Sequence, residues 1–572
     1  MIINQGIQWQ DAFYDLYPQA NILVAGANDF KKENRETLFS SIATGDYDAV
    51  IIPHSSFKTI GLPLDTLSEI IDKEIEEIET AIENMDDDGE HKSFIKDLEK
   101  RRKGLKARFE KQANAENKDE AIIFDRLGID GLFLDESQEY KNLGLTTTLR
   151  NVRGLGNLKG SEKAFDLYVK TRYLAKKHNG RGIYFSTGTV ISNTIAELYT
   201  NMKYMAYDLL EDKGLLHFDA WRMTFGKVES SYELDATGIN YAQVERFSKF
   251  QNVGELIAFY RFYADVITTA DMVANNGGVA LTPGILGGKP ENVIGERSPL
   301  VEEYMMSIVE RMQSLTRDRK RDNALKITND ARKAGLDYRL IDPSAPDFEG
   351  SKVNLCADRV FQFWKDWEQD KVTQLVFCDL STPKGIKNET KKKPKADLEN
   401  DDDAEDSLSM DELLANDSNS NFSVYDDLKT KLINRGIPAH EIKFIHEFKT
   451  DAQKAKLFRA VNNGEVRVLI GSTAKMGAGT NVQKRLVALH HLDCPWRPSD
   501  LEQRNGRGLR QGNILFKLNP NFLIAILQYA TEKTYDARIW QIIIILTHAI
   551  PKVHGVSLRL LFIALFQCIM LK

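Results

Sequence analysis

The chain has 572 residues, of which 42% are hydrophobic and 28% are charged. This length and balance fit a soluble protein of several packed domains and exclude a chain that is disordered throughout. The formal net charge is −7, so any contact with nucleic acid has to come from a local basic surface. The four cysteines form no CxxC pair, which argues against a zinc site or a disulfide framework and favours a reducing, cytoplasmic setting.

Short apolar runs alternate with helical stretches in the first part of the chain. This alternation predicts a parallel sheet covered by helices, and hence a first α/β lobe over residues 1–202. Apolar residues recur at three- and four-residue steps on both sides of an acidic break, which predicts an antiparallel helical hairpin inserted at about 62–118. We expect the charges of this hairpin to form a solvated face. The apolar runs lie at residues 21–26, 49–53, 131–135 and 182–187.

The remaining chain divides into three further regions. Residues 203–370 have a mainly helical pattern with no recognisable chemistry, and we interpret them as a linker or insertion. New apolar strands then predict a second α/β lobe at 371–541, interrupted by a disordered acidic insert at about 387–421. The last region, 542–572, turns abruptly apolar, which suggests a shifted reading frame or an artefact. Its uncharged runs are shorter than the ~20 residues of a membrane span, so no membrane partner is expected.

The strongest signal in the first half is the segment GLFLDESQEYKN at residues 131–142. A carboxylate pair at the end of a buried strand is what metal-assisted phosphate chemistry requires. Asp135 could be the Mg²⁺ ligand, while Glu136 could orient or deprotonate the attacking water. Without its context, a strand that runs into an acidic turn explains the pair equally well.

A second segment, STGTVISNTIAELY at residues 186–199, follows an apolar strand. Hydroxyl groups at a strand end can hydrogen-bond the carboxylates of the neighbouring strand and so couple nucleotide state to lobe movement. The segment could equally be a helix cap. Upstream, we expect Trp9 to be a packing residue and His54 to be a hydrogen-bonding histidine at a strand end.

The second lobe contains GAGTNVQ, from Gly477, and LDCPWRPSDLEQRNGRGLRQG, which follows it. The glycines of the first segment let backbone amides approach phosphates closely. Arg507 and Arg510 stand three residues apart, on a predicted helical turn that faces the other lobe. Guanidinium groups that reach a γ-phosphate stabilise the charge of the transition state.

Taken in order, these motifs resemble those of the Swi/Snf-type, superfamily-two helicase-like ATPases. The motif residues most resemble those of the large helicase proteins of bacterial phages, plasmids and integrative elements, which are often fused to an adenine-specific DNA methylase. The resemblance runs from about residue 8 to about residue 541, with Val190 in place of the usual proline. It implies two RecA-like lobes of α/β class, ATP and Mg²⁺ as cofactors, and double-stranded DNA as partner, with a methylase fused or nearby.

The resemblance also implies roles for individual residues. It makes Asp135, Glu136, Arg507 and Arg510 catalytic, with Asp135 as the metal ligand. Nucleotide binding or lobe coupling is implied for Gln138, Thr187, Gly188, Thr189, Gly477, Gly479, Asp493, Gln503 and Gly506. DNA contact is implied for Ser55, Thr480, Asn481 and Trp496, the last of which also borders the lobe-coupling surface.

One element of the family pattern is missing from the sequence. No segment matches GxxxxGK[ST], the loop that holds the β- and γ-phosphates, and GLGNLKGS at 154–161 has the wrong spacing and position. We therefore expect a fragment truncated at its amino end that binds and hydrolyses ATP poorly. Two functions follow from this: a DNA translocase, or an inactive DNA-binding remnant of one. Both depend on the acidic pair and the two arginines lining opposite walls of one crevice.

Overall fold

A computed structural model describes residues 2–3, 6–83, 92–116, 123–149, 152–192, 194–234, 241–313, 324–383, 422–476 and 480–548. The chain divides into two compact units. The first holds residues 1–233 and 243–265, and the second holds 234–242 and 266–551. The predicted acidic insert at 387–421 lies outside the described residues, as do residues 549–572 of the predicted apolar tail.

The first unit is built on a parallel sheet with the strand order β2-β3-β1-β4-β6. All four predicted apolar runs form strands of this sheet, and a short additional strand, β1, lies between two of them. A second, three-stranded sheet has the order β5-β8-β7. The strands are β1 Ile2–Ile3, β2 Ile22–Val24, β3 Ala49–Pro53, β4 Leu132–Leu134, β5 Val152–Arg153, β6 Ile183–Phe185, β7 Gly226–Leu234 and β8 Tyr241–Phe250.

Helices surround the first sheet, and two long ones form the insert. The predicted hairpin is present as α4 and α5, which pack on each other because both carry apolar stripes. Buried residues of α4 and α6 join the strands in one core. The helices are α1 Gly6–Leu16, α2 Arg35–Thr44, α3 His54–Phe57, α4 Leu64–Glu83, α5 Lys92–Glu116, α6 Glu162–Lys177, α7 Ala196–Met205, α8 Tyr207–Asp212, α9 Phe218–Phe225 and α10 Val253–Tyr263.

The second unit is a larger parallel sheet with the order β10-β15-β14-β11-β13-β12, to which β9 adds beside β15. Its four inner strands are mainly apolar and almost fully buried, as expected of a parallel sheet that is covered on both faces. They are β9 Gly284–Ile285, β10 Glu291–Gly295, β11 Thr373–Phe377, β12 Ile442–Phe444, β13 Val468–Gly471, β14 Leu486–His491 and β15 Leu523–Thr531.

Ten helices of the second unit are described. They are α11 Thr269–Asn275, α12 Pro299–Gln313, α13 Ala324–Leu336, α14 Lys352–Asp366, α15 Val424–Asn434, α16 Asp451–Asn463, α17 Thr473–Met476, α18 Pro498–Asn505, α19 Ile514–Leu518 and α20 Tyr535–His548. The first residues of the predicted apolar tail, 542–548, therefore complete α20. Among the described residues, no helix combines the length and the apolar character that a bilayer crossing requires.

The structure confirms the predicted α/β class, with two parallel sheets flanked by helices, an arrangement consistent with RecA-like lobes. It differs from the prediction in the region 203–370, which is helical in part but also contributes strands β7 to β10. The strand β10 pairs with β15 along five residues and so completes the second sheet. Periodicity could not show this, because β9 and β10 are short and only their partner strand makes them part of a core.

Candidate functional site

The acidic pair lies at the carboxyl end of β4, beside the end of β6. Ser186 Oγ donates a hydrogen bond to Asp135 Oδ1 at 2.7 Å. Backbone bonds continue past the strand ends, from Ser186 N to Leu134 O at 2.7 Å and from Ser137 N to Ser186 O at 3.0 Å. Asp135 Oδ2 accepts no hydrogen bond from any described residue, so one carboxylate oxygen stays open to a ligand. The two predicted motifs therefore meet at one edge of the sheet.

Side chains link the next residues of these motifs in a continuous series. Glu136 adopts the left-handed conformation with φ 52°, which is uncommon outside glycine and occurs often at functional sites. Gln138 Nε2 donates to Glu136 Oε2 at 2.5 Å, and Gln138 Oε1 accepts from the Thr187 hydroxyl. Thr187 Oγ1 in turn accepts from Thr189 N at 2.9 Å. Because an amide can donate and accept at once, Gln138 bridges the acidic pair to the threonines.

Glycine 188 lies between these threonines in open space. A Cβ atom at Gly188 would meet no other atom within 4 Å, so packing within the described structure does not require a glycine at this position. Its predicted role in nucleotide binding stays a prediction.

Lys141 and Glu197 form an ion pair that sequence reasoning missed. Lys141 Nζ lies 3.3 Å from Glu197 Oε1 and donates to Ser192 Oγ at 2.5 Å. Glu197 also accepts from Ser192 N at 2.6 Å and from Thr194 N at 3.3 Å. These residues belong to the KN and ELY ends of the two motifs, but their pairing could not be predicted from spacing alone. A shallow pocket beside the pair is lined by Gln138, Lys141, Thr187, Thr189 and Glu197, among others.

His54 connects the end of β3 to the same region. Its Nδ1 atom lies 3.1 Å from the Tyr140 hydroxyl, which confirms the predicted hydrogen-bonding role. Burial lowers the pKa of His54 to about 4, so the ring is neutral at pH 7, and burial raises the pKa of Tyr140. The next residue, Ser55, is exposed on α3, and Trp9 is half-buried on α1.

The second unit contains a buried network centred on Arg504, which sequence reasoning also missed. Arg504 Nη2 donates to Asp379 Oδ2 at 2.6 Å and to Asp493 Oδ1 at 3.1 Å, and Nε donates to the Thr473 hydroxyl at 2.7 Å. Burial alone raises the pKa of Asp379, but the charge of Arg504 and two hydrogen bonds from Thr473 outweigh it and lower that pKa. The network ties α18 to the ends of β11, β13 and β14.

Arg507 and Arg510, the two predicted catalytic arginines, follow this network along the chain. They lie just after the end of α18, in a turn in which Arg507 N donates to Arg504 O and Arg510 N donates to Gly508 O. Arg507 is buried, and its Nη1 lies 3.5 Å from Thr480 O, whereas Arg510 donates to the side chain of Asn481. Both guanidinium groups thus contact the Thr480–Asn481 segment. Gly477 and Gly479, which precede this segment, lie outside the described residues.

The other predicted residues of the second unit occupy different settings. Asp493 is fully buried and accepts hydrogen bonds from the backbone of Asp379 and Leu380. The Trp496 ring lies 4.2 Å from the guanidinium of Arg332, which covers it. Gln503 is half-buried on α18, and Gly506 ends that helix. Thr480 is buried and Asn481 is exposed, so only Asn481 of the two offers its side chain to solvent.

Among the described residues, one group of three carboxylates lies close enough together to hold a metal ion. Asp337, Asp347 and Asp427 meet in the second unit. Arg339 pairs with all three carboxylates at 2.7–2.9 Å, and Lys431 pairs with Asp347 and Asp427 at 2.8 Å. This group therefore stabilises the fold as an internal ion-pair cluster.

Comparisons with known proteins fit this arrangement. Residues 4–268 match the family model described as "Probable helicase domain", and residues 414–512 match the "Helicase conserved C-terminal domain". No curated protein matches the chain. Among solved structures, the C-terminal part of the Fun30 ATPase domain is 14% identical, with 46% of this chain and 89% of that one covered and a TM-score of 0.26, which does not establish a shared fold. The chain is thus helicase-like over these two matched regions.

Proposed function

We propose that the chain is a nucleotide-dependent motor of the Swi/Snf type that acts on double-stranded DNA. The observation that carries this proposal is the side-chain series from Glu136 through Gln138 to Thr187, beside the bond between Asp135 and Ser186. It joins two motifs, separated by about fifty residues of sequence, at the carboxyl ends of adjacent parallel strands. Ligands of open α/β sheets bind at this edge, and coupling between nucleotide state and movement needs such a connection.

The acidic pair fits a magnesium nucleotide in its donor chemistry. Asp135 keeps a carboxylate oxygen open, as a Mg²⁺ ligand requires, while Ser186 fixes the orientation of the other oxygen. We assign to Glu136 the orientation of the attacking water and the acceptance of its proton, with Gln138 holding the carboxylate in place. A bound Mg²⁺ nucleotide would supply the phosphoryl group and the positive charge that offsets its negative oxygens.

The proposal also includes Arg507 and Arg510 of the second unit. We assign to them the stabilisation of γ-phosphate charge, because two guanidinium groups can bind phosphate oxygens. Their contacts with Thr480 and Asn481 support a link between this role and the proposed DNA surface. Asn481 is both a proposed DNA contact and the hydrogen-bond acceptor of Arg510, so DNA binding at Asn481 would act directly on Arg510.

The DNA-contacting residues and the biological setting are also part of this proposal. Exposed Ser55 and Asn481 are the strongest candidates for phosphate contacts, whereas Thr480 and Trp496 are more enclosed. The proposal of an origin in a bacterial mobile element, of a fused or neighbouring methylase and of a cytoplasmic location is supported by the amino-acid sequence of the motifs.

A second candidate function is DNA binding without turnover. The observation that favours it is that the sequence has no GxxxxGK[ST] loop to hold the β- and γ-phosphates. The acidic pair and the arginines would then keep their structural contacts while the hydrolytic cycle is absent.

Measurement of ATP hydrolysis by the whole chain, with and without duplex DNA, distinguishes the two functions. A motor shows DNA-stimulated hydrolysis that Glu136→Gln abolishes, while Glu139→Gln, on the exposed side of the same turn, leaves it intact. Salt-dependent DNA binding without hydrolysis selects the second function. If the folded chain shows neither ATP hydrolysis nor DNA binding, both proposed functions are refuted.

A further inference from the structure

The helix α7 carries a buried ion pair near each end. At its amino end, Glu197 pairs with Lys141, and their side chains are 6% and 17% exposed. Near its carboxyl end, Lys203 pairs with Glu74 at 2.7 Å, and their side chains are 4% and 8% exposed. The first pair reaches the segment that follows the acidic pair, and the second reaches the helical hairpin insert.

Both helices of the hairpin take part in the second pair. Glu74 lies on α4 and accepts from Lys203 through Oε1, while Arg101 on α5 donates to its Oε2 at 3.0 Å. Arg101 also reaches the carbonyl of Leu158, at 3.4 Å. A single carboxylate thus fixes α4, α5 and α7 relative to one another.

The charges of this cluster persist at neutral pH despite their burial. Burial alone lowers the pKa of Lys203, but the charge of Glu74 outweighs it and raises that pKa well above its usual value. Burial raises the pKa of Glu74, and the charges of Lys203 and Arg101 reverse this and lower it. The pKa of the neighbouring Glu77, which faces His217, is raised, chiefly by burial.

Buried ion pairs are a costly way to join helices. Apolar residues of similar size often give equal or greater stability, because desolvating two charges offsets most of their attraction. What an ion pair adds is direction: hydrogen bonds between charged groups fix distance and orientation, whereas apolar side chains can slide past one another. A buried ion pair therefore suits a helix that has to be held at one position along its axis.

We infer that Glu74 and Lys203 are positioning residues for the candidate site. They fix α7, whose Glu197 in turn fixes Lys141, Ser192 and Thr194. Lys141 and Glu197 line the same pocket as Gln138 and Thr187. The hairpin insert is thereby connected to the acidic pair through one rigid helix. The inference concerns the arrangement of side chains and stands independently of whether the chain hydrolyses ATP.

Amide hydrogen exchange of the whole chain tests this connection. The reporting amides are those of Ser137, Glu139 and Ser186, which are hydrogen-bonded beside the acidic pair. Lys203→Met keeps the volume of the side chain but removes its charge, and we expect exchange at these amides to rise about tenfold or more. Lys203→Arg keeps the charge and should restore slow exchange.

The control is Arg102→Met, which breaks the pair between Arg102 of α5 and Glu79 of α4 without touching α7. It should leave exchange at the three reporting amides unchanged. Faster exchange in α4 and α7 alone after Lys203→Met, with the three amides unaffected, would overturn the inference.

A second variant covers the case in which Lys203→Met does not fold. Glu197→Gln breaks the pair at the other end of α7, and it should speed exchange at Ser137 and Ser186 while leaving α4 unchanged. Unchanged exchange at Ser137 and Ser186 in this folded variant would likewise contradict the inference.

Discussion

The two units treat the charged residues of their motifs in opposite ways. In the first unit, Asp135 lies at a strand end, where Ser186 binds one oxygen and no described residue donates to the other. In the second unit, Arg504 is fully buried and bonded to Asp379, Asp493 and Thr473. Both residues belong to motifs whose chemistry points to phosphate. We propose a ligand-binding role for the first alone, because the second has its hydrogen bonds within its own unit.

The difference teaches that a motif contains two kinds of residue. Some side chains have polar groups that are available to a ligand, and others form their hydrogen bonds within the protein. Within the segment EQRNGRGLRQG, Arg504 is of the second kind, and Arg510 lies nearer the surface with Asn481 as partner. Variants at these positions should therefore separate stability from function.

The largest expected effect is on stability, from Arg504→Met. It leaves the buried carboxylates of Asp379 and Asp493 without their cation, so we expect the free energy of unfolding of the second unit to fall by about 3–5 kcal/mol. Urea unfolding followed by circular dichroism measures it. Arg497→Met, an exposed arginine at the start of the same helix, is the control and should change it by less than about 0.5 kcal/mol. Similar losses in the two variants would show that burial does not separate them.

Acid should weaken the second unit more than the first. In the second unit, burial lowers the pKa of His490 and His491 to about 3 and that of His446 to about 4. In the described part of the first unit, only His54 has a comparably low pKa. Unfolded histidines bind protons from about pH 6.5 downward, so folded-state stability is complete above that pH and falls as the pH drops toward 3.

Each such histidine contributes up to about 1.4 kcal/mol per pH unit in this window. Thermal unfolding between pH 7 and 4 checks the difference between the units. His490→Gln, which keeps a donor for Gln374, should make the pH dependence shallower. An unaltered slope in this variant would count against the buried, neutral state of His490.

A smaller effect is expected for the bridge between the motifs of the first unit. The contact between Gln138 and Thr187 should contribute about 0.5–1.5 kcal/mol as a coupling energy in a double-mutant cycle of Gln138→Ala and Thr187→Val. Chemical unfolding of the single and double variants measures this energy. Thr430→Val, whose hydroxyl bonds only within α15, provides the control cycle and should show no coupling with Gln138. If the two substitutions change the free energy of unfolding additively, Gln138 and Thr187 are not energetically coupled and the prediction is wrong.

The smallest change in stability is expected for Arg510→Ala. This side chain is half-buried and bonds Asn481 near the surface, so its loss should change the free energy of unfolding by less than about 0.5 kcal/mol. The same unfolding assay that tests Arg504 applies here. A loss comparable to that of Arg504→Met would place both arginines in the structural class.

Much of the fold was predictable from local sequence. The apolar runs that became β2, β3, β4 and β6, and the stripes that became α4 and α5, were predicted because strand and helix periodicity is written into neighbouring residues. The strands β7 to β10 were not predicted. For β9 and β10 the reason is their length, because two to five residues carry too little pattern and form part of a sheet only through β15.

The sequence by itself determined the type and order of the motif residues, from which we predict chemistry for the acidic pair, the threonines after β6 and the arginines of the second unit. The tertiary structure alone decided what each one contacts. It joined Gln138 to Thr187, pinned α7 between Lys141 and Glu74, and enclosed Arg504 between two aspartates. The physical reason is that hydrogen bonds and burial depend on residues brought together by the sheet, which spacing along the chain does not specify.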